Sequence, residues 1–144
     1  MRTSMTRVVL LTWALGLGAC GGDGESSFSP TVANVAGSYV ALSFTVTSSV
    51  GTTDLLALGS TVTVALAADG TTTGRLFVPG GAEGGGDLDE DLAGTWTLAG
   101  STVTFSQTAD TFIRDVAFTA TRDQLTSEGV FQGQTIRLVL GKSG

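Results

Sequence analysis

Apolar and polar side chains alternate at a period of two residues through much of positions 35–141. The first such segment places Val40, Leu42, Phe44 and Val46 on one predicted face and small or polar residues on the other. Successive side chains of a β-strand point to opposite faces, whereas a surface helix repeats its apolar positions every three to four residues. Thr and Val, which favour a pleated surface, are abundant here. The pattern therefore predicts an all-β domain.

The same alternation recurs in seven further segments, so we expect about eight strands. These segments cover residues 62–66, 76–78, 96–98, 103–105, 116–120, 125–130 and 136–140. Turn residues separate several of them, at Asp69-Gly70, Gly100-Ser101, Arg122-Asp123 and Gly133-Gln134. Asp-Gly in particular favours the tight turns that close antiparallel hairpins. Hairpins with one apolar face bury it by closing into a barrel or by stacking. Regular hairpin connectivity favours an antiparallel up-and-down β-barrel, with a β-sandwich as the alternative.

Two connections are longer, covering residues 47–60 and 79–92, and we expect both to be loops that act as lids at a barrel mouth. A short helical turn is predicted within 52–59. The second loop is rich in glycine and ends in the acidic run 87–91. Several oxygens in one loop suit calcium, but the spacing is not that of an EF-hand loop, which favours a solvated acidic loop.

The chain contains no histidine and a single cysteine. These facts exclude the catalytic and metal-binding arrangements that depend on histidine. The carboxylates of the glycine-rich loop are expected to be too well solvated to act as an acid–base pair, and that loop lacks the lysine of a phosphate-binding loop. We therefore predict that the protein is not an enzyme and has no cofactor and no metal site.

The N-terminal segment has the parts of an export signal. Arg2 and Arg7 precede the apolar run 8–17, which is too short to span a membrane. The run ends in Leu17-Gly18-Ala19-Cys20, which resembles the lipobox of bacterial lipoproteins. This resemblance implies cleavage before Cys20 and lipidation of Cys20. The alternative is an ordinary secretory signal peptide in which Cys20 is incidental.

The resemblance divides the chain into a signal peptide at 1–19, a flexible tether at 20–34 and a folded domain at 35–144. Removing the leader leaves five basic and thirteen acidic residues. Such an acidic domain is unsuited to nucleic acid, whose binding depends on cations that neutralise phosphates. The residue after Cys20 is Gly21. In enteric bacteria, aspartate at this position retains a lipoprotein in the inner membrane, and other residues allow sorting to the outer membrane. We therefore expect a cell-envelope protein anchored in the outer membrane and facing the periplasm.

Short glycine-based motifs resemble those of bacterial lipocalin-like domains on small exported lipoproteins. They are Gly37-Ser38-Tyr39, Asp69-Gly70-Thr71 and the segment 94–105. The resemblance implies a lipocalin-like barrel. In that family a basic residue late in the barrel packs across the aromatic ring of the first strand, and Arg137 and Lys142 are the candidates. The family's aromatic residue is Trp, whereas this chain has Tyr39 there and Trp96 in mid-chain.

Two functions follow from these expectations. In the first, the barrel binds a small hydrophobic ligand in an apolar cavity. The residues predicted to line the cavity are Phe44, Leu66, Trp96, Phe105 and Phe118. In the second, the barrel is a rigid mount whose long loops bind another protein, as in an inhibitor or an envelope assembly factor.

Overall fold

The computed structural model describes residues 28–144, and the leader, Cys20 and the first part of the predicted tether lie outside the described residues. The described part is all-β, as predicted, with two single-turn helices, α1 (Val32–Val35) and α2 (Phe112–Asp115). Its ten strands are β1 (Gly37–Ser48), β2 (Gly51–Asp54), β3 (Thr61–Leu66), β4 (Thr71–Val78), β5 (Leu88–Asp91), β6 (Gly94–Ala99), β7 (Thr102–Gln107), β8 (Phe118–Ala120), β9 (Gln124–Phe131) and β10 (Gln134–Ser143).

Eight of these strands form a closed antiparallel barrel. Their order is β1, β3, β4, β6, β7, β8, β9 and β10, so each barrel strand pairs with the next one along the chain. The barrel closes through a long pairing of β1 with β10, from Ser38 opposite Ser143 to Thr47 opposite Thr135. All eight predicted segments contribute to barrel strands. The up-and-down barrel is therefore confirmed, and its architecture is compatible with a lipocalin-like fold.

The barrel has two different ends. We call the end where β1 begins the closed end, and the end where β1 stops the mouth. Three tight connections, 67–70, 100–101 and 121–123, lie at the closed end, where α1 also packs. The longer connections, 55–60, 79–87 and 108–117, gather at the mouth together with the hairpins at 49–50 and 132–133. The loops that were expected to flank a barrel mouth therefore share one end of the molecule.

The predicted apolar face of β1 is wrong at Val40 and Leu42, which are exposed. A β-bulge between Ala41 and Ser43 leaves Leu42 without a partner on β10. The extra residue shifts the alternation by one, so that Tyr39 is buried before the bulge and Phe44 after it. The single face predicted for this strand therefore becomes two shorter ones.

The two long connections contain more strand than expected. Residues 51–54 form β2, which pairs with the end of β1, and hydrogen-bonded turns follow at 55–59, so the predicted helical turn is wrong. Residues 88–91 of the predicted acidic loop form β5, which pairs with β4. Arg75 of β4 donates to both carboxylate oxygens of Asp89 at 2.6 and 2.5 Å. An ion pair across two strands thus accounts for one of the acidic residues.

The described end of the predicted tether packs on the barrel rather than standing apart from it. Phe28 is half-buried against the core, and Val35 at the end of α1 is buried. Thr31 and Asn34 cap α1 reciprocally, each accepting a backbone N–H bond from the other residue. Folded structure therefore begins before residue 35. Within residues 28–144, no helix is long and apolar enough to cross a membrane.

Candidate ligand-binding cavity

A cavity of about 320 Å³ opens at the mouth of the barrel. Inward-facing residues of β1, β4 and β10, namely Phe44, Leu76 and Ile136, line it and are themselves nearly inaccessible to solvent. They face inward because alternate side chains of a β-strand point to the same face of the sheet. The connections at the mouth leave space above these side chains, and that space is the cavity. The volume is at the low end of the range for small-molecule sites. The site is therefore a small apolar pocket with one open side.

Aromatic side chains form one wall of the cavity. The rings of Phe44 and Phe112 are stacked, with their centroids 5.4 Å apart and a 30° angle between their planes. Phe131 meets Phe112 edge-on at 6.5 Å. Phe112 comes from α2, so this helical turn carries an aromatic ring from the long β7–β8 connection into the mouth. Such a wall offers a ligand a large apolar contact area.

Residues of the two other long connections complete the lining. Leu55 follows β2, and its backbone N–H donates to the Phe44 carbonyl at 2.8 Å. Asp54 holds the turn that follows, because its Oδ1 accepts bonds from the backbone N–H groups of Leu56 and Ala57. On the other side, Gly81 comes from the β4–β5 connection and Leu88 is the first residue of β5. The expected lid segments thus contribute directly to the cavity wall.

Among the described residues, the polar side chains of the lining are all uncharged. They belong to Ser48, Thr53, Gln132 and Gln134, and the two glutamines lie at the exposed β9–β10 hairpin. These side chains offer hydrogen-bond donors and acceptors beside an apolar interior. The arrangement is suited to holding an apolar molecule with one uncharged polar group.

Comparisons of this chain with protein-family models, with curated proteins and with solved structures found no match. The assignment of a site to this chain therefore depends on the geometry of the barrel itself.

Of the five residues predicted to line a ligand cavity, Phe44 lines the mouth cavity. Leu66, Trp96, Phe105 and Phe118 are buried in the same core but are not part of that lining. Phe105 and Phe118 pack edge to face at 5.3 Å, and the Trp96 indole N–H donates to the Ala67 carbonyl at 2.8 Å. Their apolar surface is thus taken up by packing with one another and with neighbouring strands.

Sequence reasoning missed Phe112 and Phe131 in the cavity wall. Phe112 lies outside every alternating segment, and Phe131 lies one residue beyond the end of one. Leu76 and Ile136 did belong to predicted apolar faces. β4 ends and β10 begins at the mouth, where β1 also ends and turns into β2. That shared end was the available signal for grouping Leu76 and Ile136.

A larger hollow of about 450 Å³ lies outside the barrel, between β5 and the end of β7. It is an open, polar groove lined by Arg75 and three acidic residues, Asp89, Glu90 and Asp91. The Asp89 carboxylate is already paired with Arg75, and the hydrogen bonds and charge of this guanidinium lower the pKa of Asp89. Among residues 28–144, no group of three or more acidic, Cys or His side chains is arranged to hold a metal ion. We therefore place the candidate site in the mouth cavity.

The contacts at the closed end show which of the two candidate basic residues covers the aromatic ring of the first strand. Lys142 lies over the Tyr39 ring, with its Nζ atom 6.0 Å from the ring centroid. Arg137 is exposed between the buried Ile136 and Leu138, which places it on the outer face of β10. A Cβ atom on Gly37 would lie 2.6 Å from the Lys142 Cε atom, so glycine leaves the space that this side chain occupies.

Proposed function

We propose that this chain is an exported lipoprotein, anchored through lipid on Cys20, whose barrel binds a small apolar molecule in the mouth cavity. The observation that carries the proposal is the cavity of about 320 Å³ lined by Phe44, Phe112 and Leu76. A barrel of eight strands has room either for its own side chains or for one small ligand. Here the core fills the closed end, and space remains at the mouth.

The position of the chain's entry into the barrel supports this arrangement. The described chain reaches β1 through α1 at the closed end, opposite the mouth. The eight residues 20–27 extend at most about 28 Å. A lipid on Cys20 would therefore tie the closed end to the membrane surface and leave the mouth open to the aqueous compartment, where it exchanges ligand.

Filling the cavity tests ligand binding. Val78 is half-buried in the cavity lining, whereas Val130 is 73% exposed. We expect Val78→Phe to weaken binding of phenylnaphthylamine, an uncharged fluorescent probe, by at least about tenfold because the added ring occupies the probe's space. The matched variant Val130→Phe should change the affinity by less than about twofold. Energy transfer from Trp96, the one tryptophan that remains after cleavage before Cys20, measures binding of the probe to the lipidated chain in phosphatidylcholine vesicles. Equal affinities in the two folded variants would overturn this site.

The anchor has a separate test. Replacing Cys20 by Ser should abolish incorporation of labelled palmitate and should release the protein from the membrane fraction. A single acyl chain gives marginal membrane attachment, whereas several chains hold a protein stably. Unchanged labelling of the Cys20→Ser variant would exclude this cysteine as the acceptor.

A second candidate function, binding of an envelope protein through the mouth loops, has one observation in its favour. The three most exposed large apolar side chains of the described residues, Val50, Leu58 and Val130, are all at the mouth end, with exposures of 95%, 62% and 73%. In this case the double variant Val50→Ser, Leu58→Ser should lose a protein that crosslinks to the wild-type chain in the cell envelope. It should bind phenylnaphthylamine normally, since neither residue lines the cavity. An unaltered crosslink would exclude these two residues from a partner interface.

A further inference from the structure

We infer that the mouth cavity selects uncharged amphiphiles, such as medium-chain alcohols, and discriminates against the corresponding carboxylates. This inference rests on the proposed function, because it specifies the class of ligand for the same cavity. It follows from the positions of the basic side chains of residues 28–144 and from the acidic segments around the mouth.

None of the charged residues within 28–144 contributes to the cavity lining. An ionised carboxylate that leaves water for an apolar site costs several kcal/mol or more unless a cation or several donors replace its hydration. The available donors are the side chains at the rim, chiefly Gln132 and Gln134. An uncharged hydroxyl or carbonyl needs only one or two such partners, which the rim can supply.

The basic side chains of the described residues are held elsewhere. Arg75 is paired with Asp89 on the outer side of the β4–β5 hairpin. Arg114 is adjacent to the mouth on α2, but its guanidinium donates to both Asp110 and Asp115. Neither cation is therefore available to a ligand carboxylate without breaking an existing pair.

The three other basic residues lie away from the cavity. Arg137 is on the outer face of β10, opposite Glu128 in the register of β9. Arg122 belongs to the β8–β9 connection and Lys142 to the end of β10, both at the closed end. Arg122 and Lys142 are therefore separated from the mouth by the length of the barrel.

The segments around the mouth are acidic. Asp54 follows the Thr53 position of the lining and holds the 55–59 turn, and Asp87 accepts a bond from the Gly80 N–H in the neighbouring loop. Residues 28–144 carry eleven acidic and five basic side chains in all. Charge of one sign around a cleft repels ligands of the same sign, so anions are disfavoured both on approach and inside the cavity.

The volume limits the ligand's size. A water molecule takes up about 30 Å³ in the liquid, so a cavity of about 320 Å³ holds the equivalent of about ten waters. This suits an alkyl ligand of roughly ten to a dozen non-hydrogen atoms. The flat aromatic rings of phenylnaphthylamine take up less volume per atom, so the probe is of comparable size. Decanol and decanoate have that size and differ at the headgroup, which makes them a suitable pair of probes.

The experiment measures displacement of phenylnaphthylamine from the full chain by decanol and decanoate at neutral pH. We expect decanol to bind at least about tenfold more tightly than decanoate. Decanoate that binds as tightly as decanol would overturn the inference and leave the proposed function standing. Failure of both phenylnaphthylamine and decanol to bind would overturn the proposed function and the inference together.

A substitution that supplies the missing cation gives a second measurement. Gln134→Lys adds an ammonium group at the rim of the cavity, and Gln124→Lys adds the same charge on an exposed residue at the closed end. We expect Gln134→Lys to strengthen decanoate binding at least about tenfold while decanol binding changes by less than about threefold. Gln124→Lys should leave both affinities unchanged. An equal gain for decanoate in the two variants would mean that net charge, and not the lining, controls selectivity, and would overturn the inference.

Discussion

Lys142 and Tyr39 face each other across the seam that closes the barrel. They are direct partners in the β1–β10 register, and the Lys142 ammonium lies over the Tyr39 ring. The same ammonium donates to the Asn34 carbonyl at 2.8 Å, and the Tyr39 hydroxyl donates to the Val35 carbonyl at 2.5 Å. The first helical turn, the first strand and the last strand are thus joined at one point. Because Val35 and Tyr39 are both buried, this junction seals the closed end.

Replacing Lys142 by Met should lower the free energy of unfolding by about 2–4 kcal/mol. The ammonium contributes a hydrogen bond to a carbonyl, for which about 1.5–3 kcal/mol is typical when one partner is charged, and a cation–π contact of about 0.5–1 kcal/mol. Met retains much of the apolar stem that covers Gly37. Arg137→Met on the outer face of the same strand is the control and should change stability by less than about 0.5 kcal/mol. Urea denaturation followed by circular dichroism checks both, and equal losses would contradict the junction's role.

The protein should lose stability in alkali through Tyr39. Burial raises the pKa of the Tyr39 phenol above its ordinary value of 10.0, and the negative charge of Asp123 raises it further. The native state therefore holds this proton more tightly than the unfolded chain. The stabilisation is fully present below the unfolded pKa and is lost as the pH rises through the higher folded pKa. Tyr39 is the single tyrosine of the chain, so an absorbance titration of tyrosinate follows this group alone.

The matched variant for this titration is Tyr39→Phe. Its free energy of unfolding should be lower at neutral pH, by about 1 kcal/mol for the lost hydrogen bond to Val35. Above pH 10 it should decline less steeply than that of the wild type. A tyrosinate titration at the ordinary pKa, or parallel pH profiles for the two proteins, would contradict a buried and stabilising phenol.

Sequence reasoning could have identified Lys142, and not Arg137, as the residue that covers the Tyr39 ring. Ile136, Leu138 and Leu140 occupy alternate positions of β10, and Lys142 continues their series whereas Arg137 does not. Period-two alternation therefore places Lys142 on the inward side and Arg137 on the outward side. What the sequence does not supply is the register that sets Lys142 opposite Tyr39, since that depends on how the barrel closes.

The bulge in β1 marks a limit of pattern reading. Val40, Leu42, Phe44 and Val46 form an uninterrupted apolar series, and an uninterrupted strand would bury all four. The bulge turns the first two outward because Leu42 is passed over in the pairing with β10. Leu42 then packs over Gly141, where a Cβ atom would lie 2.5 Å from the Leu42 Cδ1 atom. This compensation comes from the other end of the sequence, so no local pattern could indicate it.

The cavity was the least predictable part of the structure. Barrel closure and hairpin pairing follow from alternation and turn residues that are local in sequence. Which inward side chains pack together and which leave space depends instead on the connections at the mouth. Phe112 enters the mouth from a single-turn helix of four residues, too short for periodicity to indicate. The sequence therefore predicted the barrel, but four of the five residues that it proposed for a cavity lie in the packed core of the structure.

Gly74 should be the least tolerant glycine of the barrel wall. Its φ is +153°, and a Cβ atom there would lie 2.1 Å from the Thr63 carbonyl oxygen of the paired strand. Gly51 has a similar φ of +136° but no atom within 4 Å of its Cβ position. We expect Gly51→Ala to cost about 1 kcal/mol for backbone strain and Gly74→Ala to cost about 3 kcal/mol or more, since strand β3 must also move. Thermal denaturation of the two variants checks the difference, and similar melting temperatures would show that β3 yields easily.

Truncating Phe112 should enlarge the mouth cavity and change the preferred ligand length. Phe112→Ala removes the ring that stacks on Phe44, at a cost of about 3–5 kcal/mol in stability. Phe118→Ala removes the same atoms from a fully buried position outside the cavity lining, so it controls for lost stability. We expect Phe112→Ala to bind tetradecanol more tightly than decanol and Phe118→Ala to retain the preference of the wild type. The affinities are measured by displacement of phenylnaphthylamine at a temperature where both variants are folded. If both variants gained affinity for the longer alcohol, general loosening of the barrel would explain the change, and Phe112 would have no particular part in setting the cavity's size.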